Sequence, residues 1–306
     1  MSGNHDGLEE EHHEAGVDLF LTFEVGNFRF LGEYLLSTEE QMMERFQLGW
    51  VAGDTLFWLG RFHNPVGYWN TRYHHGAYLQ TGISRPAIAK FEEHDGILPM
   101  HQAGLLIDGM FGSNELGLGY SLALAKGPEF TGVLEPWDVL DPSEREHDTS
   151  LTLNFYREIE TGRFGVFTNY TRIPSSVATI DEIKQWVLGG YMDLEFDRWS
   201  VHGSVFHVEN ELLRPTGPDK NSFLNAYLQG EYEISEKFRL FGRIEGTADA
   251  KDDAYLELFP DFVKDSLVGG IRFDFVRRNA LKLEFSGNRT VHENFTQLML
   301  QWSAQF

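Results

Sequence analysis

Apolar and polar residues alternate with a period of two along almost the whole chain, and sustained runs of helical period are nearly absent. The closing stretch, FTQLMLQWSAQF, is the plainest case. Thr296, Leu298, Leu300, Trp302, Ala304 and Phe306 share one face, while Gln297, Met299, Gln301, Ser303 and Gln305 share the other. Between 183 and 196, Trp186, Leu188, Gly190, Met192, Leu194 and Phe196 oppose Gln185, Gly189, Tyr191, Asp193 and Glu195. Nearer the end, Leu281, Leu283 and Phe285 oppose Lys282, Glu284 and Ser286. The pattern predicts fifteen strands, at roughly 17–26, 28–37, 44–53, 55–63, 101–112, 115–125, 149–158, 163–172, 183–196, 198–209, 222–234, 237–248, 266–276, 279–287 and 295–306.

Strand length separates two architectures that both alternate. Sandwich strands usually run to about five or six residues, whereas a tilted strand needs about ten to cross a bilayer. Most segments here have the longer measure. Aromatics also gather near their ends (Phe28, Trp58, Trp186, Trp199, Phe238 and Trp302 among them), where an interfacial girdle would place them. The connections alternate as well. VGN, AGDT, GSNE, ETGR, FDR, SEK and RRN are short, while STEEQMM, 64–100, 126–148, 173–182, 210–221, 249–265 and SGNRTVHEN are long. The expected fold is all-β, a transmembrane antiparallel β-barrel over 17–306 with tight periplasmic turns and long outer loops. Bacterial single-chain barrels normally have an even number of strands. Fifteen visible strands therefore suggest sixteen in the parent protein with the first missing, residues 1–16 being the remnant of the first extracellular loop. A genuine odd barrel with one parallel seam is the alternative.

Composition agrees with a two-faced sheet. Aromatics make up 14% of 306 residues and Gly numbers 31, yet charged residues reach 24% and the mean hydropathy is negative. No apolar run approaches the roughly 18 to 20 residues of a spanning helix. The opening MSGNHDGLEEEHHEAG is acidic and His-rich, with no visible signal peptide. A net charge of −22 argues against nucleic acid as a partner, and the absence of Cys excludes disulfides and thiolate chemistry.

Two stretches carry a family resemblance. The terminal strand, with Trp302 and the final Phe306, looks like the C-terminal signal that the barrel-assembly machinery reads on outer-membrane barrels. Gly60-Arg61-Phe62-His63-Asn64-Pro65-Val66-Gly67, continued by YWNTRYHHGAYLQTGISRP, resembles the G-x-F/K-x-x-P-x-G segment of phosphate-selective porin O/P-like proteins. The resemblance implies a multi-pass protein of the Gram-negative outer membrane, in contact with membrane lipid and lipopolysaccharide. It also implies homotrimerisation, although no protomer-facing stripe stands out. Loop 64–100, by the same resemblance, folds into the pore and narrows it.

By parity the lumen wall offers Arg29, Arg61, Arg239, Arg243, Arg272 and Lys282 against a larger acidic set that includes Asp18, Asp108, Glu231, Glu245, Asp274 and Glu284. That departs from the Arg/Lys ladder of an anion-selective pore and points to weak cation preference. Loop 64–100 is too apolar for free solvent, and loops this long usually have a function or packing of their own. Its bases, Arg72, His74, His75, Arg85 and Lys90, with Arg61 beside them, could face Glu92, Glu93 and Asp95 across a constriction. The competing reading is that they pin the loop to acidic wall residues.

Other chemistry finds little support. His5, His12 and His13 lie among carboxylates, but no spacing fixes a metal geometry. Adjacent His74 and His75 point opposite ways in an extended chain. The acidic loop 126–148 could hold calcium or bridging cations, but a solvated surface is the preferred reading. Ser200 and His202 share a strand face, yet no G-x-S-x-G elbow is present. The expectation is a non-enzymatic barrel without cofactor or metal that passes small hydrophilic solutes or ions. The alternatives are a non-conducting adhesin, receptor or scaffold, and a soluble β-sandwich.

Overall fold

A computed structural model describes residues 13–38, 41–73, 78–92, 96–112, 117–137 and 147–306. One antiparallel sheet contains fifteen strands in chain order. These are β1 (Gly16–Val25), β2 (Phe28–Ser37), β3 (Gln41–Ala52), β4 (Thr55–His63), β5 (His101–Met110), β6 (Leu118–Lys126), β9 (Thr149–Ile159), β10 (Gly162–Pro174), β11 (Glu182–Glu195), β12 (Trp199–Arg214), β13 (Gly217–Ser235), β14 (Phe238–Ala248), β15 (Asp265–Val276), β16 (Asn279–Arg289) and β17 (Asn294–Ala304). Between β6 and β9, β7 (Glu129–Phe130) and β8 (Leu134–Glu135) form a separate hairpin. A short helix, α1 (Tyr68–Arg72), lies between β4 and β5.

The sheet is inside-out relative to a soluble protein. On β16, Leu281, Leu283 and Phe285 face outward and are exposed, while Lys282, Glu284 and Ser286 are buried on the other face. On β17 Leu298, Leu300 and Trp302 are 70%, 76% and 62% exposed. A row of exposed Leu, Phe and Trp over buried Lys and Glu would be strongly unfavourable in water; in lipid it is the stable arrangement. Aromatic pairs cluster at the short-turn end: Trp199 with Tyr232 at 4.4 Å between ring centroids, and Phe238 with Phe273 at 4.5 Å.

The sheet also curls. Laid flat, β4 and β16 would lie ten strand spacings apart, or about 48 Å. Instead the two are linked by a short relay. The Asn70 amide donates to the carbonyl of Asn64, just beyond β4, and Arg85 donates to Asn70 Oδ1. The next-door Ser84 then donates to Glu284 on β16. Among the described residues β1 and β17 have no partners beyond β2 and β16, and an odd count sets these two edges in the same direction. Residues 1–12 lie outside the described residues, and β1 already begins at Gly16.

Fifteen strands match the expectation from alternation, with two corrections at the long-loop end. The stretch 210–221 is not a long connection. β12 and β13 continue through it, pairing to Arg214 opposite Gly217, so only Pro215 and Thr216 turn the chain. The alternation of buried Phe206, Val208, Asn210 and Leu212 carries β12 onward, and Gly217 supplies a φ of +123° after the turn. With 16 and 19 residues against the about 9–11 that span a bilayer, these strands project as a ribbon.

The second correction concerns 126–148 and the inner face. In that connection the described residues are not a solvated acidic surface: Phe130 and Leu134 of the β7–β8 hairpin are buried. They share one apolar cluster with Ile88, Ile97, Leu98 and Met100 of the 64–100 connection. Tyr255, Leu256, Phe259 and Phe262 join it from the segment between β14 and β15. Inward-facing Ile183, Val187, Val208 and Phe223 complete the cluster, so the inner face is polar along one part and apolar where the connections pack. Asp138, Asp141, Glu144 and Glu146 lie outside the described residues.

Candidate functional site

The 64–100 connection is fastened at both its root and its tip. At the root, the backbone N–H of Asn64 donates to the carbonyl of Met100 (2.8 Å) and its side-chain amide to that of Pro99 (2.7 Å). Asn64 Oδ1 accepts from Thr152 Oγ1 on β9 at 2.6 Å, and Asn70 closes the knot by donating to Asn64 O and Met100 O. Both Asn side chains are fully buried, and this network supplies their partners. Helix α1 then lays Tyr68 on Tyr191 and Trp69 edge-on to Tyr227, with ring centroids 5.5 and 6.0 Å apart. Burial, with Asp193 alongside, pushes the Tyr68 phenol well above its ordinary pKa.

These contacts give physical reasons for the two glycines of GRFHNPVG. Gly60 has a φ of +136°, and a Cβ there would lie 1.9 Å from the carbonyl oxygen of Phe46. Gly67 has a φ of +75° and sits where a Cβ would press on the Phe206 ring at 3.0 Å. Gly60→Ala is expected to cost at least the roughly 1–3 kcal/mol of a forced backbone conformation, because β3 must also give way. Urea unfolding of the lipid-reconstituted protein would register this as a lowered midpoint; an unchanged midpoint would show that the two strands can part without loss.

At the tip, charged groups on four neighbouring strands bind the 78–87 segment, mostly through its backbone. Arg272 on β15 donates to the carbonyls of Tyr78 (2.5 Å) and Gln80 (2.9 Å). Lys282 on β16 donates to that of Gly82 (3.1 Å), and Arg243 on β14 to those of Ser84 (2.9 Å) and Arg85 (3.2 Å). Three carboxylates answer them. Glu231 on β13 accepts from Thr81 Oγ1 (2.6 Å), and Glu245 on β14 from the N–H of Ala87 (2.7 Å). Glu284 on β16 accepts from the N–H of Ile83 (2.6 Å), the N–H of Ser84 (3.2 Å) and the Ser84 hydroxyl. Within the wall Arg243 pairs with Glu245 at 2.7 Å and Arg272 with Asp274 at 2.8 Å. A buried charge is tolerable when its polar atoms are satisfied, and each of these accepts or donates at least one hydrogen bond to the loop.

Parity therefore brings Arg243, Arg272, Lys282, Asp274 and Glu284 to one inner face, where all but Asp274 grip the loop backbone. Arg239 is more open and lies 3.8 Å from Glu231 and 3.5 Å from Glu233. In the loop itself, Arg85 donates to Ala89 O (2.9 Å) and to Asn70, and lies 3.7 Å from the centre of the Phe91 ring. Burial pushes its pKa down to about 10, so it remains a cation at neutral pH. Arg72 is exposed at the end of α1, Lys90 is half-buried, and Arg61 is buried with a donor 3.5 Å from Trp137 O. Glu92 is buried against His101 (2.9 Å) and also acts electrostatically on Arg85 of its own loop. His74, His75, Glu93 and Asp95 lie outside the described residues. Trp302 points outward and donates to Asn279 Oδ1, and Phe306 extends past β17, fully exposed.

Alternation could not reveal the roles of Asn64 and Asn70, because these depend on where the loop lands. Beside the root, a cavity of about 270 Å³ opens between α1 and the wall from β2 to β10. Arg45, Gln47, Asp108, Ser121, Asn154 and Arg163 line it together with Asn70 and Thr71.

No protein-family model and no curated protein matches the sequence. Solved structures do resemble the fold. The outer-membrane channel DcaP of Acinetobacter baumannii aligns over 95% of this chain and 84% of its own, at 12% identity and a TM-score of 0.63. The anion-selective porin from Comamonas acidovorans aligns over 95% and 85%, at 12% identity and a TM-score of 0.58. The trimer form of OmpT, an outer membrane protein of Vibrio cholerae, aligns over 95% and 86%, at 10% identity and a TM-score of 0.54. At these identities the likeness concerns the fold: the curled antiparallel sheet is that of outer-membrane porin barrels.

Proposed function

We propose that this protein is an outer-membrane porin, a passive diffusion channel for small hydrophilic solutes or ions in a Gram-negative bacterium. The reading rests on one observation. An inside-out sheet holds its long 64–100 connection across the inner face through buried charges on β13–β16, beside a polar-lined cavity. A loop fixed in this way narrows a pore without moving, and the groups left along the cavity set which solutes pass. The finer phosphate-selective assignment gains no support from the wall bases, since Arg243, Arg272 and Lys282 already bind loop carbonyls. With a net charge of −22, weak cation preference is the electrostatic expectation. A homotrimer, seated through the exposed apolar outer face, fits the same reading.

Reconstitution in planar bilayers should give discrete conductance steps with modest cation preference, and Arg72→Ala should increase that preference by removing an exposed positive charge. A barrel serving as adhesin or scaffold would give no steps, and that outcome would sink the channel reading.

A further inference from the structure

Three side chains far apart in sequence meet at the root of the 64–100 connection. His63 ends β4, His101 begins β5, and the two residues are cross-strand partners. Continuing the register of Phe46 against Arg61 by two residues sets Glu44 of β3 opposite His63, so all three lie in one row on the inner face. Nε2 of His101 is 2.7 Å from Glu44 Oε2, and Nε2 of His63 is 3.7 Å from the same oxygen. One ligand atom from each residue lies within 4.8 Å of the others, and all three residues are buried. Tetrahedral zinc with bonds of about 2.0 Å holds its ligand atoms on the order of 3.3 Å apart. The two histidine–carboxylate separations straddle that spacing, and the widest separation allowed within the group exceeds it by about 1.5 Å.

A second observation concerns how His101 is held. Its Nδ1 is 2.9 Å from Glu92 Oε2, and Glu92 Oε1 accepts the backbone N–H of His101 at 2.8 Å. A carboxylate on the far nitrogen fixes ring orientation and tautomer and raises the basicity of the ligating nitrogen, as in carboxylate–histidine–zinc triads. Phe91 covers the His101 ring with centroids 4.8 Å apart, while His63 borders the 270 Å³ cavity, which gives a path to the cluster. Charge permits it: two carboxylates, Glu44 and Glu92, face the His101 ring and offset the charge of a divalent ion.

We propose that Glu44, His63 and His101 form a site for a divalent transition metal of the zinc class, oriented by Glu92. Because Glu92 belongs to the loop and the ligands to β3, β4 and β5, the ion clasps the loop root to the wall. The site's residue types and spacing escape sequence inspection because no two of them share a motif.

The test uses the untagged full chain, folded in detergent, freed of metal with chelator and titrated with Zn²⁺ or Co²⁺. One equivalent should be retained after desalting, and Co²⁺ should give the visible bands of a low-coordinate nitrogen–oxygen site. His63→Ala should abolish this equivalent while leaving the Glu44–His101–Glu92 contacts in place. Glu92→Gln should weaken binding by about 10- to 100-fold. X-ray absorption on the zinc-loaded wild type, reading two nitrogen neighbours, keeps the test independent of any variant's folding. Equal retention by wild type and His63→Ala would place the ion elsewhere, for example on the acidic, His-rich opening segment, and would overturn the proposal. So would no retention at all, which leaves the cluster an ion-pair clasp only.

Discussion

Replacing Arg243 or Glu284 by Ala should release the 78–87 segment, raise single-channel conductance, and open the Lys90–Phe91 bond to trypsin. Each residue is buried and binds the loop through more than one hydrogen bond. Taking away Glu284 strands two backbone N–H groups and leaves Lys282 without its acidic neighbour. Taking away Arg243 removes the cation paired with Glu245 and the donor to two loop carbonyls. Breaking a buried pair by removing one member typically costs about 3–5 kcal/mol. The sheet hydrogen bonds are untouched, so the cost should fall on the loop, whose alternative is to leave the wall and solvate its backbone. Conductance and proteolysis should then change together while the barrel's heat-modifiable gel mobility persists. Unchanged conductance with a cut loop would place 78–87 outside the conducting path. An uncut loop would show that the apolar cluster alone retains it.

The second large effect concerns the outer face. Leu298 is 70% exposed near the middle of β17 and Gln297, its neighbour, points inward at nearly the same depth. Leu298→Arg should destabilise the vesicle-embedded protein by about 2–4 kcal/mol, the penalty for Arg facing lipid at the midplane. Gln297→Arg should be close to neutral, because its face meets water. Denaturant unfolding from lipid vesicles measures both. The pair is diagnostic, since a soluble sandwich would accept Arg at an exposed Leu298 without loss. Equal effects at the two positions would contradict the inside-out assignment.

Much of this was legible in the chain, and the reason is geometric. A strand displays its faces at a period of two, so Leu281, Leu283 and Phe285 could be separated from Lys282, Glu284 and Ser286 by counting alone. Parity also placed Arg243, Arg272 and Glu284 on one inner face. It could not say what they touch, because their partners are backbone groups of 78–87, which any sequence provides. The reading of 210–221 as a long loop failed for a related cause: Pro215, Gly217 and Pro218 look like loop punctuation, yet only a two-residue turn was needed. Alternation was blind to the apolar cluster as well. Val187 points inward between outward-facing Trp186 and Leu188, Val208 points inward between His207 and Glu209, and only the incoming loops explain why that inner stretch is dry.

The anchors at the loop tip join residues 150 to 201 positions apart in the chain. Contacts of such separation form late, because the intervening chain must be ordered before any of them can be made. Until β13–β16 stand opposite it, the 64–100 segment keeps the backbone groups of its tip without these partners. Seating of the loop is therefore the last folding step rather than an early one. The charged row on β13–β16 then acts as a checkpoint: the channel acquires its final bore only when the far wall is complete.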